Sequence, residues 1–147
     1  MKEKLEFLGI WTFTRIDNLG NIIDKEIKRN TIVNNGLNLV RDFIGNVGVN
    51  APKYIAIGTD GTGVANGDTE LYVEVDRQLA DIDVATNYQV KFSKTFTFAG
   101  PATILEAGLL DSITPLGSTM FNRVTTSKVV SATINLIVEA TITVSRV

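Results

Sequence analysis

The chain contains no cysteine and no histidine. Without cysteine there is no disulfide framework, and without either residue the usual zinc sites cannot form. Ser-His-Asp and Cys-His mechanisms are excluded, and so is a histidine general base. Charge of one sign is also scarce: 14 Lys and Arg stand against 16 Asp and Glu, for a net charge of −2. No basic cluster exceeds residues 25–29, so a phosphate-neutralising face for nucleic acid is not indicated. No uncharged apolar run reaches about 18 residues, so no membrane span is expected. Met1 leads into Lys2-Glu3-Lys4 and Glu6, with no apolar stretch of roughly 7–15 residues behind them, so no signal peptide is expected.

What remains describes a compact β domain. The 147 residues are 44% apolar and 20% charged, which argues against disorder and suits one domain with a core that needs no staples. Ala132, Ile134, Leu136, Val138, Ala140, Ile142 and Val144 occupy alternate positions, with Thr133, Asn135, Glu139, Thr141, Thr143 and Ser145 between them. That period of two predicts a long strand with one buried face. Such a strand belongs near the middle of a sheet, because a long unpaired edge invites aggregation. Ile137, on its polar face, is either a tolerated surface residue or a subunit contact.

Val90, Phe92, Phe96 and Phe98 share a parity. Lys94 interrupts it, which suits a sheet edge. Residues 103–110 and 118–126 read as two further strands. Residues 5–16 and 22–27 read as a hairpin around the turn-forming Asn18-Leu19-Gly20-Asn21, with Phe7, Trp11 and Phe13 on one face. One helix is expected after Asn34 or Asn35 as its cap, with Leu37, Val40, Ile44 and Val47 as its apolar stripe. The fold class that follows is mainly β: an antiparallel β-sandwich or jelly-roll-like barrel with one short α-helix and an N-terminal hairpin. Residues 1–29 form the hairpin or an attachment arm, and residues 30–147 the sandwich.

No motif carries recognisable chemistry. Gly58-Thr59-Asp60-Gly61-Thr62-Gly63 lacks the Gly-Lys-Ser/Thr ending of a phosphate loop, and its glycines are misplaced for a dinucleotide fingerprint. Asp60, Asp68 and Glu70 can supply oxygens to calcium, or can bond local backbone in turns. Glu74 with Asp76, and Asp81 with Asp83, are same-face carboxylate pairs. Neither has the aromatic surroundings of a glycosidase site, and solvated strand acids are the ordinary reading. No cofactor is indicated.

Several short blocks follow one another along the chain: Asn35-Gly36, Ile57-Gly58-Thr59, Asp68-Thr69-Glu70-Leu71, Arg77, Glu106-Ala107-Gly108-Leu109-Leu110-Asp111 and Phe121-Asn122-Arg123-Val124. In this order, over roughly residues 30–145, they resemble small structural proteins of tailed-bacteriophage particles, of the decoration and tail-fibre-like kinds. The resemblance implies a non-enzymatic virion protein, made in the bacterial cytoplasm. Its first form is an oligomeric capsid decoration protein; a tail or fibre adaptor is the nearest variant. The implied partners are copies of itself in a symmetric homo-oligomer such as a trimer, and other virion proteins such as the major capsid protein. A receptor- or carbohydrate-binding module using Thr59, Asp60, Thr62, Asp68 and Tyr54, Tyr72 or Tyr88 is the alternative. Within the blocks, Glu106 or Glu74 is expected to pair with Arg123, fixing strand register or bridging subunits. An exposed pair of that kind is worth only about 0–1 kcal/mol, so it matters only if buried.

Overall fold

A computed structural model describes residues 3–85 and 87–146; the Met1-Lys2 start, Thr86 and Val147 lie outside the described residues. The elements in order are β1 (Leu5–Asp17), β2 (Ile22–Arg29), β3 (Thr31–Ile32), α1 (Asn34–Ile44), β4 (Tyr54–Gly58), β5 (Glu74–Leu79), β6 (Asp81–Ala85), β7 (Gln89–Phe96), β8 (Ala102–Leu110), β9 (Met120–Val130) and β10 (Ile134–Arg146). They form two five-stranded sheets, β2-β1-β10-β7-β6 and β3-β9-β8-β4-β5. Every pairing is antiparallel and neither sheet closes on itself, so the fold is an antiparallel β-sandwich rather than a barrel.

The alternation in β10 has the expected result: Leu136, Val138, Ala140 and Ile142 are buried, and the strand is central, between β1 and β7. Its register with β1 runs from Leu5 opposite Arg146 to Asp17 opposite Ile134. The N-terminal hairpin is therefore built into the first sheet, with Trp11 and Phe13 at 0% exposure in the core. Asp17 closes its turn by accepting the N–H groups of Leu19 and Asn21, and Gly20 supplies a φ of 84°.

Between the sheets, Trp11, Phe13, Phe92, Phe96, Leu136 and Val138 meet Ile55, Ile57, Ile104, Leu109, Phe121 and Val124. A second, smaller cluster of Val33, Ala56, Leu71, Leu110 and Met120 shows that the outward face of the second sheet is also covered. Ala56 alternates with Ile55 and Ile57 and so points away from the main core.

Expectations for α1 and for Lys94 are corrected. Of the expected apolar stripe of α1 only Val40 packs against the core, half-buried; Gly36 and Leu39 are buried beside it, whereas Leu37 and Ile44 are exposed and Val47 lies beyond the helix end. Gly36 decides this, because a Cβ there would collide with the Phe121 carbonyl of β9; only glycine lets the helix start sit that close. The N-cap is Val33, with no side-chain cap bond, and the Asn34 N–H donates to Asn66 O at 2.7 Å. Secondly, Lys94 is not on an edge strand, since β6 flanks β7. The β6 ladder reaches only to Ser93, which leaves Lys94 just past the end of that neighbour.

Candidate functional site

The most polar interior place in the molecule lies on the outward face of the second sheet. Reading alternately from Ile104 would put Glu106 in the core. A register shift between Ile104 and Glu106 instead leaves Ile104, Ala107 and Leu109 in the core and turns Glu106 outward, opposite Gly58 of β4. A Cβ at position 58 would overlap the Glu106 carboxylate and the Val73 carbonyl, so this glycine makes the space that the carboxylate occupies.

Arg123 of β9 lies opposite Gly108 of β8 and approaches Glu106 across it. Arg123 Nε donates to Glu106 Oε2 at 2.9 Å. Nη2 is 2.9 Å from the same oxygen but makes no hydrogen bond of its own among the described residues. Both side chains are completely buried. The rest of the cluster comes from the segment 59–73, which crosses above. Tyr72 N–H and Val73 N–H donate to the two Glu106 carboxylate oxygens at 3.0 and 2.8 Å. Arg123 Nη1 donates to Thr62 O at 2.8 Å and to Asp68 Oδ2 at 3.3 Å. The Tyr72 ring lies over the guanidinium, 4.5 Å from Cζ to the ring centroid.

Asp68 ties the segment to itself as well, accepting from Ala65 N–H at 3.0 Å and from the Tyr72 hydroxyl at 3.1 Å. Accepting that bond holds the Tyr72 phenol proton, and its pKa rises for that reason and through the Asp68 charge. Two carboxylates thus share one guanidinium, and backbone N–H groups offset the remaining negative charge.

The expected Glu106–Arg123 pair is present and buried. The Glu74–Arg123 alternative is not: Glu74 grips Arg77 in a two-pronged pair at 3.0 and 2.6 Å. Arg77, on β5, also donates to Ser112 O at 2.8 Å and Ser118 Oγ at 2.9 Å, so it fastens the 111–119 connection as Arg123 fastens 59–73. The sequence carries no signal for that part of Arg77 beyond its place in the ordered blocks.

Of the loop positions, Thr59 N–H donates to Val73 O at 2.9 Å. Asp60 accepts from Thr62 N–H at 2.8 Å, which lowers its pKa. Asp60, Asp68 and Glu70 do not converge, and among the described residues no group of three His, Cys, Asp or Glu is placed to hold a metal ion. Asp60 and Asp68 instead bond local backbone. The carboxylate pairs also separate in role: Glu74 holds Arg77, Asp76 accepts from Gln78 at 2.9 Å, and Asp81 and Asp83 stand exposed on β6. Tyr54 lies on β4, Tyr72 in the 59–73 segment and Tyr88 between β6 and β7, with one face of Tyr72 covering Arg123. Among the described residues no helix is long and apolar enough to cross a membrane.

No family model matches this chain, and no curated protein or solved structure shows significant similarity to it.

Proposed function

We propose that this chain is a non-enzymatic structural protein of a tailed-bacteriophage particle, an oligomer that decorates and stabilises the capsid. One observation carries the reading. The ordered blocks that resemble such proteins supply most of a single construction on the second sheet. Gly58 makes room for Glu106; Asp68 and Arg123 complete the ion cluster. Leu71 and Leu110 share the small apolar cluster beside it. Gly36 seats the helix start on Phe121, and Asp111 accepts from Thr119 N–H at 2.6 Å. These residues bind one another and hold two long connections against a sheet, which is the chemistry of a scaffold rather than of turnover.

Exposed apolar side chains add support. Ile22, Ile23 and Ile27 on β2, Ile82 and Val84 on β6, and Ile44 at the helix end are all solvent-facing in the single chain. Exposed side chains of that kind are available for contact with other chains.

Immunogold electron microscopy of particles from the phage lysate that yields the chain tests the proposal. Even labelling of heads is the expected result. Labelling restricted to the tail or its tip replaces decoration with the adaptor role. Intact particles without label overturn the virion reading.

A further inference from the structure

The first sheet ends in β2 on one side and β6 on the other, and the free edges of these two strands carry opposite charge. On β2, residues alternate between the two faces of the sheet. Lys25, Ile27 and Arg29 lie opposite Thr14, Thr12 and Ile10 of β1, on the face turned away from Trp11, Phe13 and the core. All three are exposed, Ile27 at 66%. The acids of the same strand are already engaged: Asp24 holds Arg15, and Glu26 accepts from Thr126 and faces Lys128.

On β6 the pattern is reversed. Asp81 and Asp83 lie opposite Ser93 and Lys91 of β7, again on the face away from Phe92 and the core. Ile82 and Val84 are exposed between and beyond them, at 48% and 78%. Lys25, Lys28, Arg29, Asp81 and Asp83 make no ion pair among the described residues.

We infer that these two edges bind each other between copies, β6 of one chain adding to β2 of the next. Such a contact rests on the self-association proposed above, not on where the chain sits in a particle. Charged edges ordinarily discourage pairing. Here that holds for like edges, because β2 against β2 sets cations beside cations, and β6 against β6 sets acids beside acids. Only the mixed contact matches charge, and it brings the Lys25-Ile27-Arg29 row and the Asp81-Asp83 row together on one face. The geometry agrees: four antiparallel steps separate β2 from β6, so the two strands run in the same direction. A neighbour in the same orientation adds as a parallel strand and continues the sheet, with main-chain hydrogen bonds supplying affinity. A contact between two different patches is heterologous, so it closes into a ring or runs on as a filament.

Sedimentation equilibrium of the purified chain, with paired charge reversals, tests this. The wild type is expected to associate, and raised salt to weaken it. Lys25→Glu with Arg29→Glu, and separately Asp81→Lys with Asp83→Lys, are each expected to weaken association about tenfold or more. All four positions are exposed, and an unchanged thermal melt establishes that each variant folds. Mixing the two variants restores association in alternating order, because each acidic edge then meets a basic one. A wild type that stays monomeric at high concentration overturns the inference. So does an oligomer that survives both reversals, or a pair of variants that remain apart when mixed. None of these outcomes depends on particle labelling, so edge pairing and the virion role fail or stand separately.

Discussion

Arg123→Met is the most decisive perturbation of this fold. The guanidinium is completely buried and is the cation that faces both Glu106 and Asp68. Methionine fills much of the volume but leaves two carboxylates without a counter-charge, one of them fully buried. Removing one partner of a buried pair costs about 3–5 kcal/mol, because a charge stays in a poorly solvated place. Against a total stability of roughly 5–15 kcal/mol, that is a large share. For a domain of this size each kcal/mol moves the melting point by about 2–4 °C, so a fall of roughly 6–20 °C is expected, with a matching loss in urea unfolding. The double variant Arg123→Met with Glu106→Gln should recover part of the loss, since a neutral amide can still accept one of the two N–H groups that Tyr72 and Val73 present. Arg123→Lys should fall between, keeping charge without the planar fork. A cost for Arg123→Met below about 1 kcal/mol, the scale of an exposed pair, would refute the argument that burial makes this cluster matter.

Three further expectations follow from single contacts. Gly58→Ala should destabilise by about 1–3 kcal/mol, the usual cost of overpacking, and raise cleavage of 59–73 in limited proteolysis; Gly63→Ala, with open space around it, should do neither. Arg77→Ala should free the 111–119 connection, read as faster amide exchange at Ser118 and Thr119 with little change in the core strands; uniform exchange would refute local fastening. The Asp24 carboxylate is held below its ordinary pKa mainly by its hydrogen bond from Arg15, with Lys128 adding to the effect. Its contribution to stability is therefore complete above an unfolded-state pKa of about 3.9 and is lost as pH falls through the lower folded-state value. The stability gap between wild type and Asp24→Asn should stay constant near neutrality and shrink below about pH 4; a gap that persists through the acid transition would refute it.

The strands were legible where the side chains alternate without interruption. β10 and the Trp11-Phe13 stretch of β1 carry their burial in a period of two, so their faces and the central place of β10 follow directly. Alternation gives no guide where a residue is inserted or a backbone comes close. Ile104 and Glu106 share a parity, and only the register shift between them sends one inward and the other out. A bulge leaves no mark in hydropathy. The buried face of α1 is hidden from hydropathy for a related reason. Leu37, Ile44 and Val47 are more apolar than Gly36, yet the contact is governed by how near the helix comes to Phe121, and there the smallest residue faces inward. In the site, the Glu106–Arg123 pair was readable as a pair. Its burial was not, because 59–73 reaches it through the Tyr72 and Val73 amides and the Thr62 carbonyl, groups that every residue type carries.

The two sheets use their outward faces differently, and this separates scaffold from contact surface. On the second sheet, Arg123 and Arg77 each hold a connection laid across the strands or along their end, and Val33, Ala56, Leu71, Leu110 and Met120 fill the space beneath. Substitutions there act on stability first, and on association only through it. On the first sheet, among the described residues, no connection of this kind intervenes at β2 and β6, where exposed isoleucine and valine lie with charges that make no ion pair. Charge reversal at these edges removes little packing, so it should alter association while leaving the melting point in place. A variant that loses both together belongs to the first group, and the two classes can be told apart by the order in which melting and self-association respond.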